Sequence, residues 1–222
     1  MAKMRDDTEF IGEYDFKDHK IMHAMDAEKR EKFILVAMQE FTKGYAVANT
    51  DEIVREAGIS KGLLFHYFGS KRGLFLFLFK YALDSVTTEY DKVVLDRGDF
   101  MENILRVSKL VIELTLERPF LYGFLAKAHF SLSEVFPQGA PKDVSNPTAA
   151  IMQKILRNSD ETLFRTDVDV HKAQNIILWT MSSYTERLLV LGDDIKNYQP
   201  KYAEIMREFE DYLDILRKAF YN

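Results

Sequence analysis

Three hydroxyl residues stand at intervals of ten in one part of the chain: Thr50, Ser60 and Ser70. A hydroxyl placed just before a helix accepts hydrogen bonds from the free N–H groups of the first turn, which makes such residues good N-caps. Gly58 stands where the first of these helices must end, because glycine readily adopts the left-handed conformation of a C-cap. The pattern predicts short helices over 51–57 and 61–68 that together form a helix-turn-helix.

The remaining sequence has the three-and-four spacing of apolar residues that is typical of amphipathic helices, without strand-like alternation. A helix over 27–43 is predicted to end at Gly44, and a long helix is predicted to run from residue 71 to about 95. Proline or glycine corners separate five further helices, near 99–117, 120–135, 147–158, 169–191 and 201–220. The sequence therefore predicts an all-α protein of about nine or ten helices.

Composition excludes several classes of protein. The chain has 222 residues, of which 47% are hydrophobic, so it can bury a substantial core over one or two domains. It holds no cysteine, which excludes disulfides, a thiolate nucleophile and thiol-based redox sensing. No apolar run approaches the roughly 18 residues of a membrane-spanning helix. The N-terminus opens with charges rather than an apolar signal core, so we expect a cytoplasmic protein without a membrane partner.

The charge is unevenly distributed along the chain, although the net charge is −5. Residues 1–26 carry four basic and seven acidic groups, whereas residues 27–80 carry nine basic and six acidic groups. No acidic residue lies between Glu56 and Asp84. A small positive module beside more acidic segments is typical of a domain that meets phosphate, joined to one that does not.

The predicted helix 61–68 has two different faces. Leu64 and Phe68, four residues apart, define one face that is expected to pack on the preceding helix. The other face and its edges carry six residues: Lys61, Gly62, Leu63, Phe65, His66 and Tyr67. Water is a poor partner for Leu63 and Tyr67, whereas the major groove of DNA offers thymine methyl groups and base-edge acceptors.

Two interpretations of this helix stay open from the residues alone. In the first, the helix enters the major groove, where Lys61 and His66 meet base edges. Phosphates on either side then take Tyr67 and Lys71. In the second, the helix does not meet DNA: it is either a buried hairpin of a helical bundle or an apolar face that binds another protein.

Three motifs follow one another between about residues 30 and 77: FTKGY at the end of a helix, TDEIVREAGISKG across the predicted turn, and LFHYFGSK. Together they resemble the DNA-binding domain of the TetR family of bacterial transcriptional regulators. The resemblance implies a helix-turn-helix domain at 27–75. It also implies a larger helical domain for ligand binding and dimerisation at 76–222. The acidic extension at 1–26 that precedes the helix-turn-helix domain is longer than a typical arm of the family.

The resemblance also implies which residues contact DNA: Thr50, Lys61, Gly62, Leu63, Phe65, His66, Tyr67 and Lys71. Ser60 joins them as a predicted N-cap, because the helix N-terminus that it opens presents N–H groups to phosphate. Leu63 departs from the small or hydroxyl residue frequent in the family, and Phe65 replaces a common tyrosine. The operator sequence is therefore not transferable from the family.

Two predicted helices near the C-terminus, 169–191 and 201–220, carry apolar stripes wider than the burial of one face requires. The resemblance implies a homodimer, and we expect these helices to pack on a twofold mate in a four-helix interface. The residues predicted for this interface are Met181, Leu188, Phe209, Tyr212 and Leu216. A terminal hairpin buried in a monomer is the alternative.

Aromatic residues accompanied by a few polar groups occur in 119–132 and in 175–189. Such a combination suits a site for an apolar or amphipathic small molecule, although these aromatics more often belong to a core. The residues predicted to line this site are Phe120, Phe124, His129, Trp179, Ser183 and Tyr184.

No catalytic residue, metal ligand or cofactor is predicted. The sequence contains no H-E-x-x-H, P-loop, G-x-S-x-G or G-x-G-x-x-G motif. His19 and His23 stand four apart, but a histidine pair at helical spacing in an acidic arm is usually surface. An enzyme is therefore not expected.

The function expected from the residues and the resemblance is that of a ligand-responsive DNA-binding transcriptional regulator. We expect a repressor that binds double-stranded operator DNA of near-palindromic sequence as a dimer and is released by an apolar small molecule. A helical protein-interaction module that uses the apolar face of helix 61–68 is the alternative.

Overall fold

The structure of the chain, a computed structural model, describes residues 25–96, 98–136, 146–190 and 202–222, and gives the backbone alone for 186–190. These residues form nine α-helices: α1 (Ala27–Phe41), α2 (Thr50–Ala57), α3 (Lys61–Phe68), α4 (Lys71–Tyr90), α5 (Phe100–Glu117), α6 (Pro119–Val135), α7 (Pro147–Arg157), α8 (Val170–Val190) and α9 (Tyr202–Phe220). Extended backbone in the described part forms only two isolated bridges, so the predicted all-α class is confirmed.

The predicted helices are present, and α4 is the one whose end differs most from the prediction. The sequence predicts a helix to about residue 95, whereas α4 ends at Tyr90. Beyond it the N–H of Lys92 bonds to the carbonyl of Glu89 at 3.2 Å, and that of Val93 bonds to Tyr90 at 3.1 Å. These bonds reach three residues back, which tightens the chain out of the α-helical pattern. No glycine or proline stands between residues 91 and 95, so the sequence carries no stop signal there.

Two of the three predicted N-caps are confirmed, and the third is shifted by one residue. The Ser60 hydroxyl accepts the N–H of Leu63 at 3.1 Å, and the Ser70 hydroxyl accepts the N–H of Gly73 at 3.0 Å. Thr50 is not a cap, because it is already the first helical residue of α2. The cap is Asn49, whose side-chain oxygen accepts the N–H of Asp51 at 2.9 Å.

Within the described helices, none combines the length and the apolar character needed to cross a membrane. The acidic extension up to residue 24, with His19 and His23, lies outside the described residues.

The helices group into two compact units. The first comprises the described parts of Met1–Val86 and Phe120–Asn146, and the second comprises those of Thr87–Pro119 and Pro147–Asn222. Most of α6 therefore belongs with α1 to α3 and the greater part of α4. This grouping does not coincide with the division predicted between residues 75 and 76, because α4 continues without a break past that point.

Three phenylalanine rings join α1, α4 and α6 in the core of the first unit. Phe41 lies edge-on to Phe75 with ring centroids 5.4 Å apart, and Phe124 lies 6.3 Å from Phe41 and 5.6 Å from Phe75. All three side chains are buried. Edge-to-face ring pairs of this kind contribute about 0.5–1.5 kcal/mol each beyond the burial of their area. The rings therefore hold three helices in one arrangement.

A carboxylate at the start of α5 organises the second unit. Asp99 is the N-cap of α5 and accepts the N–H of Glu102 at 3.1 Å. It also accepts hydrogen bonds from Arg217 at 3.0 Å and from the Tyr221 hydroxyl at 3.1 Å. Burial alone would raise the pKa of Asp99, but the hydrogen bonds from these three partners outweigh it and hold the pKa below its usual value. Asp99 therefore fastens the end of α9 to the start of α5.

The corner between α3 and α4 leaves no room for a side chain at Gly73. A Cβ added there would overlap the carbonyl oxygen of Phe68, the last residue of α3. Only Gly69 and Ser70 separate the two helices, and Gly69 adopts a φ of 69°, in the region that favours glycine. The tight corner fixes the direction of α3 relative to α4.

Replacing Gly73 tests this corner. We expect Gly73→Ala to destabilise the chain by about 1–3 kcal/mol, the usual cost of forcing a methyl group into occupied space. Gly62→Ala in α3 is the control, because an added Cβ there meets nothing within 4 Å and alanine favours a helix by about 0.5–1 kcal/mol. Urea unfolding followed by circular dichroism should show a lower midpoint for Gly73→Ala alone. Equal midpoints for the two variants would show that the corner relaxes.

Candidate nucleic-acid interface

The inner face of α3 packs as the sequence predicts. Leu64 and Phe68 are buried, as are Ile53 and Ala57 of α2. The ring of Phe68 stacks on that of Phe33 in α1, with centroids 5.7 Å apart. Because an eight-residue helix is only marginally stable alone, these contacts hold α3 in place.

The outer face of α3 is only partly open to solvent. Gly62 and His66 are exposed, whereas Leu63, Phe65 and Tyr67 are half-buried. The rings of His66 and Tyr67 lie edge-on to each other with centroids 5.2 Å apart. This face offers a polar ring flanked by apolar surface, which matches the mixture of acceptors and methyl groups in a major groove.

The two helices of the helix-turn-helix bring their N-terminal ends together. Ser60 and Lys61 are exposed at the start of α3, and Thr50 is half-buried at the start of α2. The Lys61 ammonium forms an ion pair with Asp51 of α2, with Nζ and Oδ1 2.6 Å apart. Sequence reasoning missed Asp51, because no spacing rule says that residues ten apart meet across this turn.

Lys71, predicted to meet phosphate, is tied to the connection between α1 and α2. Its ammonium donates a hydrogen bond to the carbonyl of Ala46 at 3.2 Å and lies 5.0 Å from the centre of the Tyr45 ring. Burial lowers the pKa of Lys71, and the opposing charges of Glu134 and Glu40 reduce that shift. Lys71 therefore presents its charge from a fixed position at the start of α4.

Glu40 is a second structural residue that the sequence does not single out. Its side chain is buried in α1, where the apolar spacing predicts core residues. One carboxylate oxygen accepts the N–H of Asn49 at 3.0 Å, and the other pairs with Lys43. Because Asn49 caps α2, Glu40 positions the start of the helix-turn-helix.

The residues predicted for a small-molecule site fall in both units. Phe120, Phe124 and His129 belong to the first unit; Trp179, Ser183 and Tyr184 belong to the second. The Phe124 ring is fully buried among core phenylalanines, and His129 is exposed.

Within the second unit, Trp179 is 68% exposed. Ser183 is also exposed, and the Tyr184 hydroxyl donates to the carbonyl of Ile205 at 3.2 Å. Phe124 packs in the core of its own unit, and its part in a small-molecule site stays a prediction. A site shared by the two segments stays a prediction.

Two residues predicted for a dimer interface are in the core of the chain itself. Met181 and Phe209 are buried, so their side chains are not on a surface that a second copy could cover. The apolar stripes of α8 and α9 point these residues inward, between the two helices and the rest of the second unit. Tyr212 and Leu216 are partly exposed, and the side chain of Leu188 lies outside the described residues.

Residues 33–78 match the model of a family described as bacterial regulatory proteins, tetR family. The match runs from within α1 into α4 and includes the whole helix-turn-helix. Over this segment the chain matches the TetR family. The resemblance stated from three motifs is thereby confirmed, and the matched segment contains the candidate interface described above.

Curated relatives of the chain include nucleoid occlusion factor SlmA from two bacteria. The protein of Vibrio campbellii is 26% identical over 100 residues, which are 44% of this chain and 51% of that protein. The protein of Photobacterium profundum is 27% identical over 93 residues, which are 41% of this chain and 47% of that protein. The chain spans about half the length of the curated relatives it matches.

Solved structures extend the TetR-family fold beyond the matched segment. A TetR family transcriptional regulator from Chloroflexus aurantiacus has a TM-score of 0.63 at 20% identity, covering 91% of this chain and 98% of that chain. The TetR family transcriptional regulator PfmR from Thermus thermophilus has a TM-score of 0.54 at 21% identity, covering 84% of this chain and 97% of that chain. At these identities the likeness concerns the fold alone.

Lys71 and Lys61 have different surroundings, so we expect their replacement by alanine to have different effects on stability. Lys71→Ala removes the hydrogen bond to Ala46 and the contact with the Tyr45 ring, and should cost about 1–2 kcal/mol. Lys61→Ala breaks a solvent-exposed ion pair and should cost less than about 1 kcal/mol. Thermal unfolding at low protein concentration measures both variants against the unaltered chain. A Lys71→Ala midpoint as high as that of Lys61→Ala would contradict a structural role for Lys71.

Proposed function

We propose that this TetR-family chain is a repressor that reads operator DNA as a homodimer through α3 and releases it when an apolar small molecule binds. The observation that carries the proposal is the outer face of α3, half-open to solvent and set within the matched segment 33–78. The major groove is about 12 Å wide, and it admits a helix whose inner face is already packed. The match of residues 33–78 to a family of regulators supports this function over an enzymatic one.

The proposed contacts divide into those that position the protein and those that read sequence. Lys71 and Tyr67 bind phosphate. The fixed position of Lys71 sets the distance between α3 and the sugar-phosphate backbone of the DNA. His66, exposed near the middle of the outer face, meets a base edge. Leu63 and Phe65 supply apolar contact, which in the major groove suits a thymine methyl group.

Enrichment of bound sequences from a library of random duplexes tests the DNA-binding part of the proposal. The selected DNA should contain an inverted repeat whose half-sites are separated by about one helical turn or a multiple of it, as a twofold dimer requires. Enrichment of no sequence, together with binding to another protein through α3, would favour the interaction module instead.

On the selected operator, two substitutions should have different effects. His66→Ala should cost roughly 1–3 kcal/mol of binding free energy on the operator and little on random DNA, because contacts with base edges distinguish one DNA sequence from another. Lys71→Ala should weaken binding to both duplexes alike and lower the salt slope by about one unit. Fluorescence anisotropy over a salt series measures both quantities. Equal losses for both variants on both duplexes would contradict the division of roles.

For the homodimer we propose an interface on the apolar side chains that α8 and α9 expose. Ile176 and Trp179 of α8 are 41% and 68% exposed, and Tyr212 and Ile215 of α9 are 40% and 62% exposed. Members of each pair are three residues apart and share a face of their helix. Large apolar side chains exposed on one face of each helix favour an interaction site, and a second copy is its proposed occupant.

Substitution in this stripe should separate the dimer without unfolding the chain. Trp179→Glu places a carboxylate in the proposed interface, at a cost of several kcal/mol when it is buried there. Val94→Glu is the control, because Val94 lies in the second unit at 80% exposure and outside both helices. Sedimentation velocity should show a monomer for Trp179→Glu and a dimer for Val94→Glu, with circular dichroism unchanged in both. A Trp179→Glu protein that stays dimeric at micromolar concentration would move the interface elsewhere.

The proposed effector acts by shifting a population of two arrangements of the dimer. A small molecule that binds the second unit more tightly in one arrangement changes the separation of the two α3 helices, and so the affinity for operator. Long-chain acyl compounds, aromatic drugs and detergents, screened for release of labelled operator, test this part of the proposal. An effect of the same molecules on Trp179 fluorescence over the same concentration range would show that they change the surroundings of that ring, either at the proposed interface or at a site beside it.

A second candidate function comes from the nucleoid occlusion factors among the relatives. Their aligned regions of 93–100 residues exceed the 46 residues of the family match, so the similarity extends beyond the helix-turn-helix. For a factor that acts on the nucleoid as a whole we expect binding at many chromosomal sites, and for a repressor binding at few sites beside promoters. Chromatin immunoprecipitation distinguishes the two distributions.

A further inference from the structure

The ion pair between Asp51 and Lys61 links the first turns of the two helices of the helix-turn-helix. Asp51 is the second residue of α2, and Lys61 is the first residue of α3. Their charged atoms lie 2.6 Å apart, while the side chains stay 61% and 55% exposed. The pair therefore forms one exposed unit with an acceptor and a donor side by side.

The Asp51 carboxylate has no part in capping α2. The cap is Asn49, which accepts the backbone N–H of Asp51 itself. Elsewhere on α2, Glu52 and Glu56 both pair with Arg55 of the same helix. Asp51 differs from them, because its partner stands at the end of α3 that points toward base edges when such a helix enters the groove.

The position of Lys61 determines what its partner meets on DNA. A carboxylate beside the phosphate backbone would be repelled, so Asp51 is tolerated at the interface only where DNA offers a hydrogen-bond donor. In the major groove, the cytosine N4 amino group is the donor that Asp and Glu accept. The guanine paired with it offers O6 and N7, two neighbouring acceptors that suit a lysine ammonium.

We propose that Asp51 is a specificity-determining residue that acts with Lys61 to select a G·C pair in each half-site. Lys61 donates to guanine O6 and N7, and Asp51 accepts from cytosine N4 of the same pair. The inference rests on the proposed function, since it assigns one base pair of the operator that α3 reads.

The test is enrichment of random duplexes by four proteins: the unaltered chain, Asp51→Ala, Lys61→Ala and Glu56→Gln. The unaltered chain should select G·C at one position of each half-site. Asp51→Ala and Lys61→Ala should both lose the preference at that same position and keep the others. Glu56→Gln removes one negative charge from α2, as Asp51→Ala does, but leaves Lys61 paired, so its selected sequence should be unchanged.

Affinity measurements on matched operators complete the test. Replacing the G·C pair by A·T should weaken binding of the unaltered chain by between about fivefold and a hundredfold, and that of Asp51→Ala much less. Thermal midpoints of the variants should match that of the unaltered chain, because a solvent-exposed ion pair contributes little to stability.

Two outcomes would overturn the inference while leaving the proposed function intact. One is an Asp51→Ala profile identical to that of the unaltered chain. The other is a uniform gain in affinity for every duplex, which would show that Asp51 only masks the charge of Lys61. If the unaltered chain enriches no sequence at all, it is the proposed function that fails, and the inference falls with it.

Discussion

The position of α3 depends on aromatic packing that the helix itself does not supply. With eight residues and two buried side chains, α3 has too few contacts of its own to stay folded. Phe68 lies between Phe33 of α1 and Phe77 of α4, with ring centroids 5.7 and 5.1 Å away. The rings of Phe41, Phe75 and Phe124 then hold α1 and α4 against α6. The outer face of α3 is therefore presented by a rigid support built from three other helices.

Polar contacts near the interface fall into two groups that differ in exposure. Glu40 and Lys71 are partly or wholly buried and bind backbone groups of the connection between α1 and α2. Because unpaired buried polar groups are costly, these contacts persist and fix the path of the chain. Asp51 and Lys61 are more than half exposed, and solvent screens their attraction. Breaking such a pair costs little free energy, so both groups can form hydrogen bonds with DNA in the proposed complex.

Local patterns in the sequence predicted the helices and the inner face of α3, because spacing of apolar residues and capping chemistry act over a few positions. The same rules misplaced the cap of α2 by one residue, since Asn49 and Thr50 are both competent caps. Burial across the fold was harder to predict: Met181 and Phe209 lie on apolar stripes that are equally compatible with a core and an interface. The ion pair of Asp51 depends on the angle between two helices, which no pattern within one helix contains.

The close packing at Gly73 couples the orientation of α3 to that of α4. α4 has 20 residues, a length of about 30 Å at 1.5 Å per residue, and its first turn lies against the last carbonyl of α3. Because the two helices approach so closely at this joint, a rotation of the first turn of α4 is expected to carry the end of α3 with it. A tilt of about 5° about the far end of α4 moves the joint by roughly 2.6 Å, close to half of one helical turn. In the proposed dimer, a tilt of this size in both subunits would change the spacing between the two α3 helices by up to about twice that distance, whereas successive grooves of the proposed operator lie about one helical turn of DNA apart.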